Sequence, residues 1–192
     1  MKKIIYLLGL VLVTLFSGCK EGTDFDIQYT PLAPVGGQYK VNIIRGYDPS
    51  KTDAEYWASN PTDCDTLYKT DGSLNKTVMY AYFSNTSDYD TDKGWIRLGN
   101  YNDKGAYGVN AKVNVDMSNY TFSGTNLDNM LGNLATATDH VTISGKCGHN
   151  TYTTVSGTVT DEIYFIYSRD SQPGYHYKAE GFKYTGWSED TK

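Results

Sequence analysis

A chain of 192 residues with 22 acids against 17 lysines and arginines carries a net charge of −5, and no basic cluster interrupts the mixture. Such a chain offers no electrostatic footprint for nucleic acid. Its 18 tyrosines and 19 glycines, beside few leucines and alanines, point to strands and turns rather than helices.

Residues 1–18 read as a lipoprotein signal peptide. Lys2 and Lys3 precede an apolar run from Ile4 to Phe16, and small Ser17 and Gly18 stand directly before Cys19. The run is too short for a comfortable membrane span. Phe16-Ser17-Gly18-Cys19 resembles a bacterial lipobox, in which the leader is cut before the cysteine and its thiol is diacylated. An ordinary secretory signal with a chance cysteine is the alternative. One acyl chain binds a membrane reversibly and two hold, because each buried methylene contributes about 0.8 kcal/mol. The expected partner is therefore the membrane, through an N-terminal lipid on Cys19, and the expected location is the cell envelope as an outer-membrane lipoprotein. Lys20-Glu21 resembles the surface-export signals of Bacteroidota lipoproteins. Cutting 18 residues from 192 leaves 174, and losing two lysines but no acid takes the charge to −7. That length suits one domain.

Residues 19–36 are polar and carry Pro31 and Pro34 without an apolar period, so they read as a flexible tether. From 37 to 192 the pattern is that of one β domain. Apolar and polar residues alternate in Tyr39-Lys40-Val41-Asn42-Ile43 and, most clearly, from Val109 to Met117, as in strands with one face on a core. Val78 to Phe83 and Ile163 to Tyr167 carry aromatics on both faces. Trp95 to Leu98, Tyr120 to Phe122, Val141 to Ile143, Tyr152 to Val159 and Tyr175 to Trp187 complete the strand candidates. Asp71-Gly72, Asp92-Lys93-Gly94, 102–105 and Pro173-Gly174 supply turns between them. Residues 46–65 read as a long polar loop flanking a barrel mouth. Leu127, Met130, Leu131 and Leu134 fall at helical spacing and predict one short helix. Eight to ten short strands in one chain suit either a closed barrel or a sandwich.

The C-terminal stretch resembles a known family. Asp161-Glu162-Ile163-Tyr164-Phe165, followed by Gly181, Thr185-Gly186-Trp187 and Glu189-Asp190 at their spacing, is similar to the ending of a Bacteroidota lipoprotein family labelled "lipid-binding putative hydrolase". Glu162 stands where a hydroxyl is more usual, and Trp187 where Phe is common. Gly36-Gly37-Gln38-Tyr39-Lys40-Val41 is similar to that family's opening strand. The resemblance implies an all-β fold: a single antiparallel β-barrel of lipocalin-like type, about eight strands, with one short helix. It also implies a lipid-like ligand.

Catalysis needs a constellation, and none of the familiar ones stands in the sequence. There is no G-x-S-x-G, no H-E-x-x-H and no phosphate-cradling G-x-x-x-x-G-K. His140, His149 and His176 are the available bases, and Asp161, Glu162 and Glu180 the carboxylates of interest. Cys64 and Cys147 could pair as a disulfide or stay free. With His149 they lack the spacing of a zinc site, and no metal or cofactor is expected. A binding role asks for less: the inward residues Met79, Ala81, Phe83, Ala111, Val113, Val115, Phe165 and Tyr177 are candidates to line a cavity, unless they simply fill the interior. Tyr56, Trp57, Trp95, Tyr101 and Trp187 are candidates to stack on sugar rings. The function expected is therefore non-catalytic binding of a small apolar or lipid-like ligand. The alternatives are a glycan-binding accessory of a polysaccharide-uptake system, or a surface hydrolase.

Overall fold

The computed structural model describes residues 29–73, 78–99, 107–131 and 139–191. The leader, Cys19, Tyr101, the turn at 102–105 and Leu134 lie outside the described residues. Among the described residues nine strands are present: β1 (Gly37–Tyr47), β2 (Asp65–Tyr68), β3 (Met79–Asn85), β4 (Lys93–Leu98), β5 (Val109–Asp116), β6 (Thr121–Asp128), β7 (His140–Thr153), β8 (Val159–Arg169) and β9 (Tyr175–Lys183). One helix, α1 (Asp53–Ala58), lies between β1 and β2.

Every pairing is antiparallel, and the order β1-β3-β4-β5-β6-β7-β8-β9 returns on itself through β1–β9. That seam runs in unbroken register from Tyr39↔Lys183 to Tyr47↔Tyr175, so eight strands close into a barrel with no bare edge at the join. The ninth strand, β2, is an addition. β3 pairs with β1 over Gly37–Val41, and β2 takes over the same edge at Ile43–Arg45. The barrel is the expected one.

Alternation explains the inside. Val109, Ala111, Val113 and Val115 are buried while Lys112, Asn114 and Asp116 are exposed, as a period of two requires. Phe83, Phe122, Phe165, Tyr167 and Tyr177 make a chain of rings through the interior, with successive centroids 5.0, 6.0, 5.8 and 5.0 Å apart. Gly181 permits the seam to close, because a Cβ there would stand 1.8 Å from the Lys40 carbonyl oxygen.

Residues 30–36 are not the flexible tether that their prolines suggested. They turn across the end of the barrel where β1 begins and β9 finishes, and Leu32 and Val35 are fully buried there. The Leu32 amide donates to Asn85 Oδ1 (3.0 Å), and Asn85 Nδ2 donates to Thr30 Oγ1 (2.7 Å). Tyr39 donates its hydroxyl to the Val35 carbonyl from inside. Apolar side chains with bonded backbone at this end make a plug; the opposite end, termed the mouth below, is bordered by residues 74–77, 100–106 and 132–138, which lie outside the described residues.

The short helix is also misplaced by the sequence pattern. Asn126, Leu127 and Asp128 belong to β6, with Leu127 opposite Val141, so inter-strand pairing overrides the helical spacing. The helix is α1 instead, inside the segment read as loop. Thr52 and Glu55 form a reciprocal capping box at its start, and Tyr56 is its buried residue. The two strands expected around 141–143 and 152–159 are one long β7 and the start of β8, with a turn at 154–158 between them. Cys64 and Cys147 are both free. Cys147 faces the interior near the plug, whereas Cys64 sits beside the Tyr56 hydroxyl (3.4 Å) outside the wall, so a disulfide does not form.

Candidate functional site

The mouth gathers the end of β1, the start of β9, the end of β8 and the added β2. Following the alternation inward gives Arg45 from β1, Tyr177 and Tyr175 from β9, and Tyr167 and Arg169 from β8. Arg45 is directly opposite Tyr177, and Tyr167 directly opposite Tyr177 on the other side. The Tyr167 and Tyr177 rings stack at 5.0 Å and 17° to form a floor. Around it stand Leu67, Tyr68, Tyr107, Leu127 and Tyr175, all half-buried against the core. The result is an apolar rim over an aromatic floor.

Polar groups at this rim are few and mostly engaged. Tyr167 donates to the Tyr107 carbonyl (2.6 Å), and Tyr68 donates to the Tyr107 hydroxyl (3.1 Å). Arg45 bonds Asp65 (2.9 Å) and lies over the Tyr175 ring at 5.1 Å. Arg169 Nε donates to Asp139 Oδ2 (2.7 Å), which also accepts from Asn129, while Asp139 Oδ1 accepts from the Ser171 amide. Burial pushes the Asp139 carboxyl up, but those hydrogen bonds and the guanidinium outweigh it and hold it below the ordinary carboxylate value. One group stands apart. The Tyr177 hydroxyl is buried and lacks a hydrogen bond of full geometry, its one polar neighbour of note being the Arg45 guanidinium across the seam. Burial raises it above the ordinary phenol value against the pull of Arg45 and Arg169.

The cavity-lining candidates all point inward. Ala81, Ala111, Val113, Phe165 and Tyr177 have 0 % of their surface exposed, and Phe83, Met79 and Val115 have 2, 7 and 9 %. Side chains with no accessible surface leave no water-sized space beside them. The middle of the barrel is therefore filled, and among these candidates only Tyr177 reaches the floor of the mouth.

The other candidates do not assemble. His176 faces outward beneath α1: Nδ1 lies 2.6 Å from Asp53, Nε2 donates to the Asp48 carbonyl (2.9 Å), and Tyr56 stacks on the ring. Ser168 donates to the same Asp53 (2.7 Å) rather than to a histidine, so no Ser-His nucleophile forms here. His140 lies between Asp128 (3.5 Å) and Asp170 (3.3 Å). His149 lies 2.9 Å from Asp161, which also accepts from Lys183 and the Asn150 amide near the plug. Burial raises Asp161, but these partners outweigh it and hold it below the usual range. Burial pushes the Cys147 thiol up to about 12, away from a reactive thiolate. Glu162 and Glu180 face outward on β8 and β9, on an open groove of about 520 Å³ with Tyr152, Tyr164 and Lys146. Of the sugar-stacking candidates, Tyr56 is buried, Trp57 and Trp95 are half-buried, and Trp187 is exposed near the plug. They form no common row. Among the described residues no three His, Cys, Asp or Glu side chains converge as metal ligands would.

Arg45, Arg169 and the Tyr68–Tyr107 pair are not singled out by any sequence motif. Both arginines occupy inward positions of strands that were recognised, so the alternation itself carried that signal. β2 is too short and half-buried to announce itself.

A model of one protein family, described as "Lipid-binding putative hydrolase", matches residues 24–188. No curated protein matches the chain.

Proposed function

The chain belongs to that lipid-binding family, and on this premise we propose that it holds an amphipathic, lipid-like ligand at the barrel mouth without altering it chemically. The apolar part lies on the ring of Leu67, Tyr68, Tyr107, Leu127 and Tyr175, and the polar head meets Arg45 and the Tyr177 hydroxyl. Met79, Ala81, Phe83, Ala111, Val113, Val115 and Phe165 form the packed layer under the site. The observation that carries this is the Tyr177 hydroxyl, buried at the floor of the mouth with Arg45 beside it and no hydrogen bond of full geometry. Such a group costs about 1–3 kcal/mol, and a ligand acceptor would remove that cost. A non-catalytic role is supported by the histidines, whose ring nitrogens are engaged by carboxylates, the Asp48 carbonyl and Asn150. The anchoring lipid on Cys19 and the outer-membrane location belong to the same proposal, supported by the lipobox-like Phe16-Ser17-Gly18-Cys19.

The test is lipid extraction and native mass spectrometry of the full-length chain from its host membrane, followed by titration with the fluorescent fatty acid cis-parinaric acid. Arg45→Met is expected to weaken the probe about tenfold, the loss of one charge-assisted contact. No co-purified lipid together with equal probe affinity in wild type and variant defeats the proposal.

A further inference from the structure

Eight large hydrophobic side chains are exposed among the described residues: Tyr29, Tyr47, Tyr89, Tyr152, Val155, Val159, Tyr184 and Trp187. All but Tyr47 lie at the plugged end. Tyr29 precedes the plug, Tyr89 sits in the β3–β4 turn, Tyr152, Val155 and Val159 surround the β7–β8 turn, and Tyr184 and Trp187 follow β9. The last two groups are fastened together, since the Ser156 amide donates to Asp190 Oδ1 (2.8 Å) and the Ser156 hydroxyl to Asp190 Oδ2 (3.0 Å). The tail thereby holds Trp187, 59 % exposed, beside the hairpin that carries Val155, 81 % exposed. Single exposed apolar residues need no explanation, but their collection at one end does.

We infer that the plugged end docks on the interface of a lipid bilayer, with Trp187, Val155 and Val159 as the inserting groups. Two observations select a membrane over another protein. Trp and Tyr with an apolar body and a polar tip are the side chains that settle at the headgroup level. The chain also leaves the barrel at this end, and the ten residues from Cys19 to Tyr29 span at most about 35 Å. A lipid on Cys19 therefore keeps this face near the bilayer; in that respect the inference rests on the anchor proposed above. At the rim Asp88, Asp90 and Asp92 around Tyr89, and Glu189 beside Trp187, outnumber Lys93 and the Lys183 paired with Asp161, so its character is acidic. Contact comes from apolar burial, and anionic lipid weakens it.

The full-length chain, with the N-terminus its host leaves on it, is reconstituted into phosphatidylcholine vesicles with brominated acyl chains, and tryptophan emission is recorded. Trp57 lies on α1 under Lys178, away from the plugged end, and Trp95 on β4 under Lys112, across the barrel from β8, so neither reaches the bilayer. Bromine is expected to quench part of the emission, and W187F to remove that quenched part. V155D, on an exposed turn, is expected to lower it by about half or more with an unchanged far-UV spectrum. Equal quenching in wild type and W187F overturns the docking. So does a vesicle-free dimer that V155D dissolves, since the face then belongs to a second copy. Intact mass reports acylation separately: an acylated chain with Trp187 unquenched removes the docking and leaves the anchor standing. An unacylated chain with Trp187 quenched does the reverse.

Discussion

Replacing Tyr177 by Phe separates the ligand site from ordinary packing, because it moves stability and binding in opposite directions. The ring stacks on Tyr167 at 5.0 Å, and its buried hydroxyl faces Arg45 without a hydrogen bond of full geometry. Deleting a buried, poorly met hydroxyl returns part of its desolvation cost of about 1–3 kcal/mol, set against the lost attraction to Arg45 and a void the size of one oxygen. A net gain of about 1 kcal/mol in the ligand-free protein follows, or roughly 2–4 °C in Tm for a domain of this size. With ligand the same oxygen is a hydrogen-bond donor, and its loss weakens binding by about 1–1.5 kcal/mol, some five- to tenfold. Thermal unfolding followed by circular dichroism reads the first effect, and cis-parinaric acid titration the second. A Y177F protein that is less stable than wild type by more than about 1 kcal/mol would show that the hydroxyl is bonded within the fold. Unchanged probe affinity would show that it never meets the ligand. Either result refutes the reasoning.

Four further outcomes test the frame around the site. Gly181→Ala sets a methyl against the Lys40 carbonyl at the seam and is expected to cost about 3 kcal/mol, seen as a lower urea midpoint. Gly157→Ala, in an open turn at φ +83°, meets no neighbour and is expected to cost only the left-handed backbone strain of about 1–2 kcal/mol. Leu32→Ala hollows the plug, and urea unfolding is expected to show a loss of about 3 kcal/mol with the mouth unaffected. Asp161 and Asp139 have folded values held below the unfolded carboxylate, so the native state binds fewer protons and their stabilisation is lost as pH falls below about 4. Asp161→Asn, weaker at neutral pH by about 2 kcal/mol once solvent at Lys183 is allowed for, gives a flatter urea midpoint between pH 5 and 3. Thiol titration of the native protein is expected to label Cys64 at once and Cys147 only after unfolding.

The strands were legible because the alternation in Val109 to Asp116 leaves only one face for a core, but that pattern suits a sandwich as well, and the barrel followed only from the family resemblance. Closure was less so. The pairing of β1 with β9 depends on contacts between the two ends of the chain, which no local pattern records. The helix failed for a related reason: Leu127 has helical neighbours in sequence but Val141 opposite it in space. At α1, by contrast, the Thr52 and Glu55 capping box was present in plain residues, hidden by the lack of an apolar stripe. The mouth was half legible. Strand parity marks Tyr177 as inward and places Arg45 and Arg169 on the same side, where a charged side chain is not the ordinary expectation. What sequence does not carry is the balance between filling and space, and here the small Ala81 and Ala111 complement bulky rings rather than leave a cavity.

The seam has a consequence for how the molecule is made. Synthesis delivers Tyr39 long before Lys183, so β1 waits through nearly the whole of translation for its final neighbour. Any fragment ending short of Tyr175 leaves the outer edges of β1 and β8 without their last partner, and bare edges recruit strands from other chains. Premature termination or clipping of the last strand should thus yield aggregates rather than a smaller soluble core. The nine residues of β9 work as a latch that turns an open, adhesive meander into a sealed vessel.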